Sequence, residues 1–325
     1  MIKILGTGMY IPKNLITNES FFEKFGRDPL EKVFDRIGHG ARYYCDENES
    51  SADIAVQAAK EALKNADVNA EDIDLIIVAT DTPSQLSPAT VSEVQYRLQA
   101  VNAGTFDVNC ACAAFVTACD IASKYLSTDS QYKTALIIGT YAMSKFLDPE
   151  DSIATPLFGD GSGAFVIQEG NKDKKIASSL KADGQYWDYM GIYAGGTKEP
   201  INPESLDKKK NTTKILKKFP ATLNSEEWPP LIEKTLKKID LRTSDVNAYI
   251  FTQIRKATIE TVMERFELPM DQTHTIMEKW GYTGSACIPM AFHDAIVKGK
   301  IKRGDRVVLC ASGGGYAMAC ITFVY

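Results

Sequence analysis

The chain has 325 residues, 44% hydrophobic and 24% charged, with a formal net charge of −5 at pH 7, which is ample for a two-domain or double-domain globular protein. No global basic field recruits nucleic acid, and no apolar run approaches the roughly 20 residues of a membrane span. Seven scattered cysteines without a C-x-x-C pair, and His39, His274 and His293 without ligand spacing, read as reduced thiols in a cytoplasm and not as a disulfide frame or a metal centre.

Residues 2–8 read as a strand that runs straight from the N-terminus, without the layout of a signal peptide. Asn18–Phe25 reads as a short helix. Ser51–Asn65 is a strongly amphipathic helix, with Ala55, Ala58, Ala59 and Leu63 inward and Lys60 and Lys64 outward. Asp74–Thr80 is a continuous apolar run of the kind found in sheets covered on both faces. Asp81 follows it and reads as a turn-capping carboxylate before Thr82-Pro83. Pro88–Leu98 is the next helix.

The stretch that organises the chain comes after it. Thr105–Val108 is a strand, and Cys110–Ala114 is a sharp turn of small residues. Phe115, Ala118, Cys119, Ala122 and Leu126 then recur at helical spacing. A cysteine at the mouth of a helix meets unpaired N–H groups and the positive end of the dipole. That setting lowers a thiol pKa below its free value of about 8.5 and makes a thiolate nucleophile. Cys112 is the candidate, against the bland reading of a small buried hydrophobe; Cys119 faces the apolar stripe and reads as core. Lys133–Thr140 is another buried strand. The alternation of apolar strands and helices implies an α/β layered sheet.

Phe158-Gly-Asp-Gly-Ser-Gly-Ala164 reads as a tight turn into the strand from Phe165. It lacks the Lys-Ser/Thr and the helix start of a phosphate loop. Ser312-Gly-Gly-Gly-Tyr316 lies between strands Val307–Ala311 and Ala317–Val324, where exposed backbone N–H groups can hold an oxyanion. A repeat is also visible. Leu63-Lys-Asn-Ala-Asp67 and Leu75–Val78 recur as Leu236-Lys-Lys-Ile-Asp240 and Ala248–Phe251 at an offset of 173 residues, and Thr134–Thr140 recurs as Arg306–Ser312 at 172. This is a duplicated half and not a solenoid. Between the halves, Ile201–Trp228 is polar and holds Lys208, Lys209, Lys210, Lys214, Lys217 and Lys218, either a solvated face or a docking patch for an acidic partner.

Together these stretches resemble 3-oxoacyl-acyl-carrier-protein synthase III of the thiolase superfamily nearly end to end. The likeness is carried by Ile4-Leu-Gly-Thr-Gly-Met-Tyr-Ile-Pro12, Phe34-Asp-Arg-Ile-Gly38, Val78-Ala-Thr80, Phe106-Asp-Val with Cys112-Ala, Phe158–Ala164, Gly284-Ser-Ala and Gly313-Gly-Gly315. The resemblance implies a duplicated five-layer α-β-α-β-α fold, halves at 1–170 and 171–325, and a homodimer. It places the nucleophile on Cys112 and the oxyanion hole on the N–H groups of Cys112 and Gly314. It needs no cofactor, since acyl carrier protein or acyl-CoA thioesters are the substrates.

The sequence departs from the family pattern at named positions. The family histidine falls on Thr252 and its asparagine on Tyr282, so the two groups that stabilise the malonyl-derived enolate are replaced by weaker donors. The family's stacking tryptophan falls on Lys32. One clamp arginine stays as Arg36 and the other falls on Ser152. The carrier-contacting arginine falls near Ala257, beside Arg255 and Lys256. Asp81 stands where the hydroxymethylglutaryl-CoA synthase branch has its catalytic glutamate. Leu86–Pro88 and Ile201–Pro220 are expected to shape the acyl tunnel.

The leading expectation is therefore a divergent acyltransferase of specialised fatty-acid or polyketide metabolism, using Cys112 with Gly314, Thr252, Tyr282 and Asp81, and binding substrate through Arg36, Lys32, Ser152, Arg255 and Lys256. The alternatives are a conventional synthase III condensing with malonyl-carrier protein, and a non-catalytic partner that binds acyl carriers or completes a heterodimer with a related ketosynthase.

Overall fold

The computed structural model describes residues 2–170 and 175–325. Nine strands form two sheets: β1 (Ile2–Tyr10), β2 (Leu75–Ala79), β3 (Gly104–Val108), β4 (Thr134–Tyr141), β5 (Gly161–Glu169), β6 (Ala177–Ala182), β7 (Ala248–Phe251), β8 (Arg306–Gly313) and β9 (Ala317–Val324). The first sheet runs β1-β5-β4-β2-β3 and the second β6-β9-β8-β7. In each, the outer strand and its neighbour pair antiparallel, and the next pairings are antiparallel and then parallel. The second sheet's counterpart of β3 is cut to one parallel bridge, Tyr249 with Thr273. His274 lies just beyond this bridge. The expected boundary after residue 170 borders residues 171–174, which lie outside the described residues.

Helices α1 (Ser51–Ala66) and α2 (Thr90–Leu98) cover one side of the first sheet. Helices α4 (Leu223–Lys237) and α5 (Lys256–Arg265) cover the far side of the second. Helices α3 (Ala114–Thr128) and α6 (Cys287–Val297) fill the space between the sheets. The residue pattern dictates this layering. In β2, Leu75, Ile77 and Ala79 enter the central core while Ile76 and Val78 enter the outer one. In β8, Val307, Leu309 and Ala311 face the centre, and Val308 and Cys310 the outside. Strands apolar on both faces need helices on both. The five layers of the α-β-α-β-α arrangement are present, and Cys119 is core as expected.

Glycines mark where layers approach closest. Gly161 and Gly163 belong to β5 and not to a turn. A Cβ on Gly161 would sit 2.8 Å from Met290 Sδ, and one on Gly163 2.9 Å from the Met290 nitrogen. The Phe-Gly-Asp-Gly-Ser-Gly stretch is thus a strand start pressed against α6, its glycines serving contact more than turning. Helix α4 was not legible because Pro229 and Pro230 lie within it. Trp228 nevertheless anchors it, fully buried and stacked on Phe251 at 5.3 Å. Of the six lysines in 208–218, five are in ion pairs: Lys208–Glu204, Lys209 and Lys214 with Asp148, Lys210–Glu199 and Lys217–Asp188. The paired lysines fit the solvated face, one of the two readings of this segment.

The α1–β1 contact is equally close: a Cβ on Gly6 would lie 2.3 Å from the Ala66 nitrogen and 2.7 Å from the Ala62 oxygen. Backbone atoms cannot swing aside, so Gly6→Ala is expected to destabilise the fold by about 1–3 kcal/mol. Urea unfolding checks this as a lower midpoint at unchanged slope.

Candidate active site

Strand β3 delivers the chain to a turn in which Ala111 takes a left-handed conformation (φ +49°), and α3 starts at Ala114 without a side-chain cap. Strand β8 arrives from the other half and meets this turn backbone to backbone. A Cβ on Gly313 would lie 2.6 Å from the Cys110 oxygen and 2.7 Å from the Cys112 nitrogen. Only glycine permits that approach. The N–H groups of Cys112 and Gly314 make no hydrogen bond to protein acceptors among the described residues. Cys112, Gly313, Gly314, Tyr282 and Arg255 line one cavity of about 270 Å³, closed mainly by Ile37, Leu157, Phe158, Met190, Phe219 and Ile254.

Cys112 is 3% exposed, and burial dominates its chemistry. Desolvation pushes its thiol pKa well up, the nearby Asp81 charge adds to the rise, and a hydrogen bond from Tyr282 works the other way. The direction is opposite to the lowering expected at a helix mouth: removal from water is the largest influence on this sulfur and favours the thiol. Tyr282 is itself buried, and its phenol is pushed well up by desolvation first, so it stays a neutral phenol with a proton to donate. Its backbone is pinned by Gly159 N–H to the Tyr282 oxygen at 2.9 Å and Tyr282 N–H to Leu157 O at 3.3 Å. The Phe-Gly-Asp-Gly stretch thus positions Tyr282.

Thr252 is not free to serve the site. Its hydroxyl accepts from Ser312 N–H at 2.9 Å and is aimed back at the Ser312 oxygen at 3.5 Å. It ties β7 to the strand that ends in the glycine turn, and the expectation of a donor facing substrate is corrected. Asp81 lies within electrostatic reach of Cys112, Cys110 and Tyr141. Its Oδ1 is out of solvent without a hydrogen-bond partner, which is not how a turn cap is placed. Desolvation raises its pKa to about 6.

The outer residues divide. Arg36 is exposed on helix Arg27–Ile37, and its charge bears on Arg255. Ser152 lines an adjoining apolar cavity of about 340 Å³ with Phe34, Ile153 and Leu157. Lys32 is exposed and lines neither cavity, and Lys256 pairs with Glu278 at 3.5 Å. Asn224, in the first turn of α4, was not foreseen. Its Oδ1 accepts from Ser312 Oγ at 2.9 Å and from the Tyr316 hydroxyl, and it lines the Cys112 cavity. No periodicity announced it, because the prolines masked its helix.

The family description 3-Oxoacyl-[acyl-carrier-protein (ACP)] synthase III matches residues 106–184, and its C-terminal counterpart matches residues 236–325. The chain is 35% identical over 312 residues to the beta-ketoacyl-[acyl-carrier-protein] synthase III of Clostridioides difficile strain 630, covering 96% of this chain and 94% of that one. It is 36% identical over 319 residues to the protein of that name from Clostridium perfringens strain SM101, covering 96% of each. The crystal structure of 3-oxoacyl-[acyl-carrier-protein] synthase III from Aquifex aeolicus VF5 superposes over 100% of both chains, with a TM-score of 0.88 at 30% identity. No helix among the described residues is long and apolar enough to cross a membrane.

A carboxyl whose folded pKa is raised favours the fold while protonated and disfavours it once ionised. The contribution of Asp81 is complete below its ordinary value near 3.8 and is lost as pH rises through about 6. Asp81→Asn, which cannot ionise, is therefore expected to raise the denaturation midpoint at pH 8 more than at pH 4.5. Equal effects at both pH values would contradict the burial of this carboxylate.

Proposed function

The chain belongs to the 3-oxoacyl-acyl-carrier-protein synthase III family, and we propose that it moves an acyl group from a carrier-protein or coenzyme A thioester through a Cys112 acyl-enzyme, in specialised fatty-acid or polyketide biosynthesis. The observation that carries this reading is the seating of Cys112 under the glycine turn, at one wall of an apolar cavity, with two unengaged N–H groups beside it. A thioester carbonyl attacked by the sulfur develops negative charge on oxygen, and the N–H groups of Cys112 and Gly314 are the donors for it. The new bond joins sulfur to the acyl carbon, and the bond to the departing thiol breaks. The Cys112 proton passes to that leaving group, with Asp81, ionised above about pH 6, as the base at hand. Tyr282 supplies the hydrogen bond that favours the thiolate.

Passing the acyl group to an acceptor other than malonyl is favoured by the state of Thr252 and Tyr282. The first has its hydroxyl committed to Ser312, and the second is a neutral donor where the family pattern has asparagine. Losing one preorganised oxyanion donor costs about 2.7–4 kcal/mol, a hundred- to a thousandfold in rate. The second reading, conventional condensation with malonyl-carrier protein, draws support from the names of the relatives at 35 and 36% identity. Lys32 and Ser152, in place of a stacking tryptophan and an arginine, favour a carrier-protein donor over coenzyme A. The unpaired outer edge of β3 is a natural place for a second copy to pair, making a homodimer.

Incubation with acyl-CoA and acyl-carrier-protein panels is expected to give an acyl adduct by intact mass in the native chain and none in Cys112→Ala. The adduct is expected to survive malonyl-carrier protein. Its discharge with release of carbon dioxide would establish the conventional reading instead, and absence of any adduct would leave a non-catalytic carrier binder.

A further inference from the structure

Among the described residues, Arg255 is the one cation on the wall of the Cys112 cavity. Its Nε is out of solvent without a partner, and no carboxylate pairs with its guanidinium among the described residues. The charged group that bears on it makes this worse. Arg36 repels it from the adjoining helix. Arg255 also stands at the N-cap of α5, where backbone N–H groups and the dipole favour an anion and oppose a cation. The nearby Lys256 is positive as well, and Glu278 is engaged by that lysine. A partly desolvated guanidinium with no counter-charge is costly, and its planar fork suits a carboxylate or phosphate in bidentate contact.

Resting on the acyl-enzyme reading, we propose that Arg255 seats a carboxylate of the acceptor, so that the acceptor is a small acid bearing a hydroxyl or amine. The position of the arginine distinguishes this anion from a phosphate at the entrance. Arg36 is exposed and outside the cavity, so it faces anions held in solvent. Arg255 instead shares a mainly apolar chamber, with Asn224, Thr258 and Ser312 among its polar lining, with Cys112 and Gly314. In the transfer, the acceptor's O–H or N–H attacks the thioester carbon of acyl-Cys112. A C–O or C–N bond forms, and the C–S bond breaks with its electron pair on sulfur. The acceptor's proton passes to that sulfur and regenerates the Cys112 thiol. The carboxylate is unchanged, because pairing with Arg255 stabilises it in the ground state and opposes its loss as carbon dioxide.

The test starts from acyl-Cys112 enzyme verified by intact mass. Its discharge is timed with glycolate against glycolamide, and with glycine against glycinamide. Because each acid is compared with its own amide on loaded enzyme, loading and intrinsic reactivity cancel when the native acid-to-amide ratio is divided by that of Arg255→Met. That quotient is expected to be tenfold or more, with Arg255→Lys between. A quotient near one overturns the proposal. So does an Arg255→Met defect that appears only with phosphopantetheine donors and vanishes with acyl-pantetheine, which makes Arg255 a phosphate seat. Failure to form any adduct counts against the acyl-enzyme reading. Calorimetric binding of glycolate and glycolamide to both proteins then still decides on the carboxylate seat, and equal binding overturns it.

Discussion

The structure depends on one backbone contact. The end of β8, at Gly313, is pressed onto the Cys110–Cys112 turn with no room for even a methyl group. That contact joins the two sheets' halves at the point where the first supplies a sulfur and the second a glycine turn. The polar ties behind it have the same effect. Thr252 holds Ser312 from β7, and Asn224 holds Ser312 and Tyr316 from α4. Each fixes the turn without engaging the N–H groups of Cys112 or Gly314.

The same closeness makes the nucleophile dry. Around Cys112 stand Tyr282, Tyr141 and Phe158, in a chain of ring contacts at 5.9 and 6.1 Å. In so little water, electrostatic effects are large, and they oppose one another. Asp81 and burial hold the proton on sulfur, and Tyr282 favours its release. A site balanced in this way is quiet when empty and responds when an incoming thioester brings a polarised carbonyl to the free N–H groups. The arginine inside the same chamber has no counter-ion among the described residues.

Much of this was legible in the sequence because the signals were local. The strand-turn-helix around Cys112, the triple glycine and the apolar strands each declare themselves over a few residues. The 173-residue offset carried the duplication, down to matched strand directions in the two sheets. What was not legible depends on what lies across the fold. Thr252 looks available until Ser312 is seen beside it. Gly161 and Gly163 look like a turn until α6 is seen against them. The lysines of 208–218 look like a patch until Asp148, Asp188, Glu199 and Glu204 are found among them. The thiol pKa was misjudged for a similar reason: the helix start is local, but the desolvation comes from residues far along the chain.

Cys112 sits in a dry seat made by the meeting of the two halves, and burial favours its thiol. The rate of iodoacetamide alkylation at Cys112, followed by peptide mapping as a function of pH, reads this out. The rate is expected to be still climbing past the free-cysteine value of about 8.5. A rate that reaches its plateau below about pH 7.5 would mean an ionised, solvated sulfur, and would contradict the dry seat.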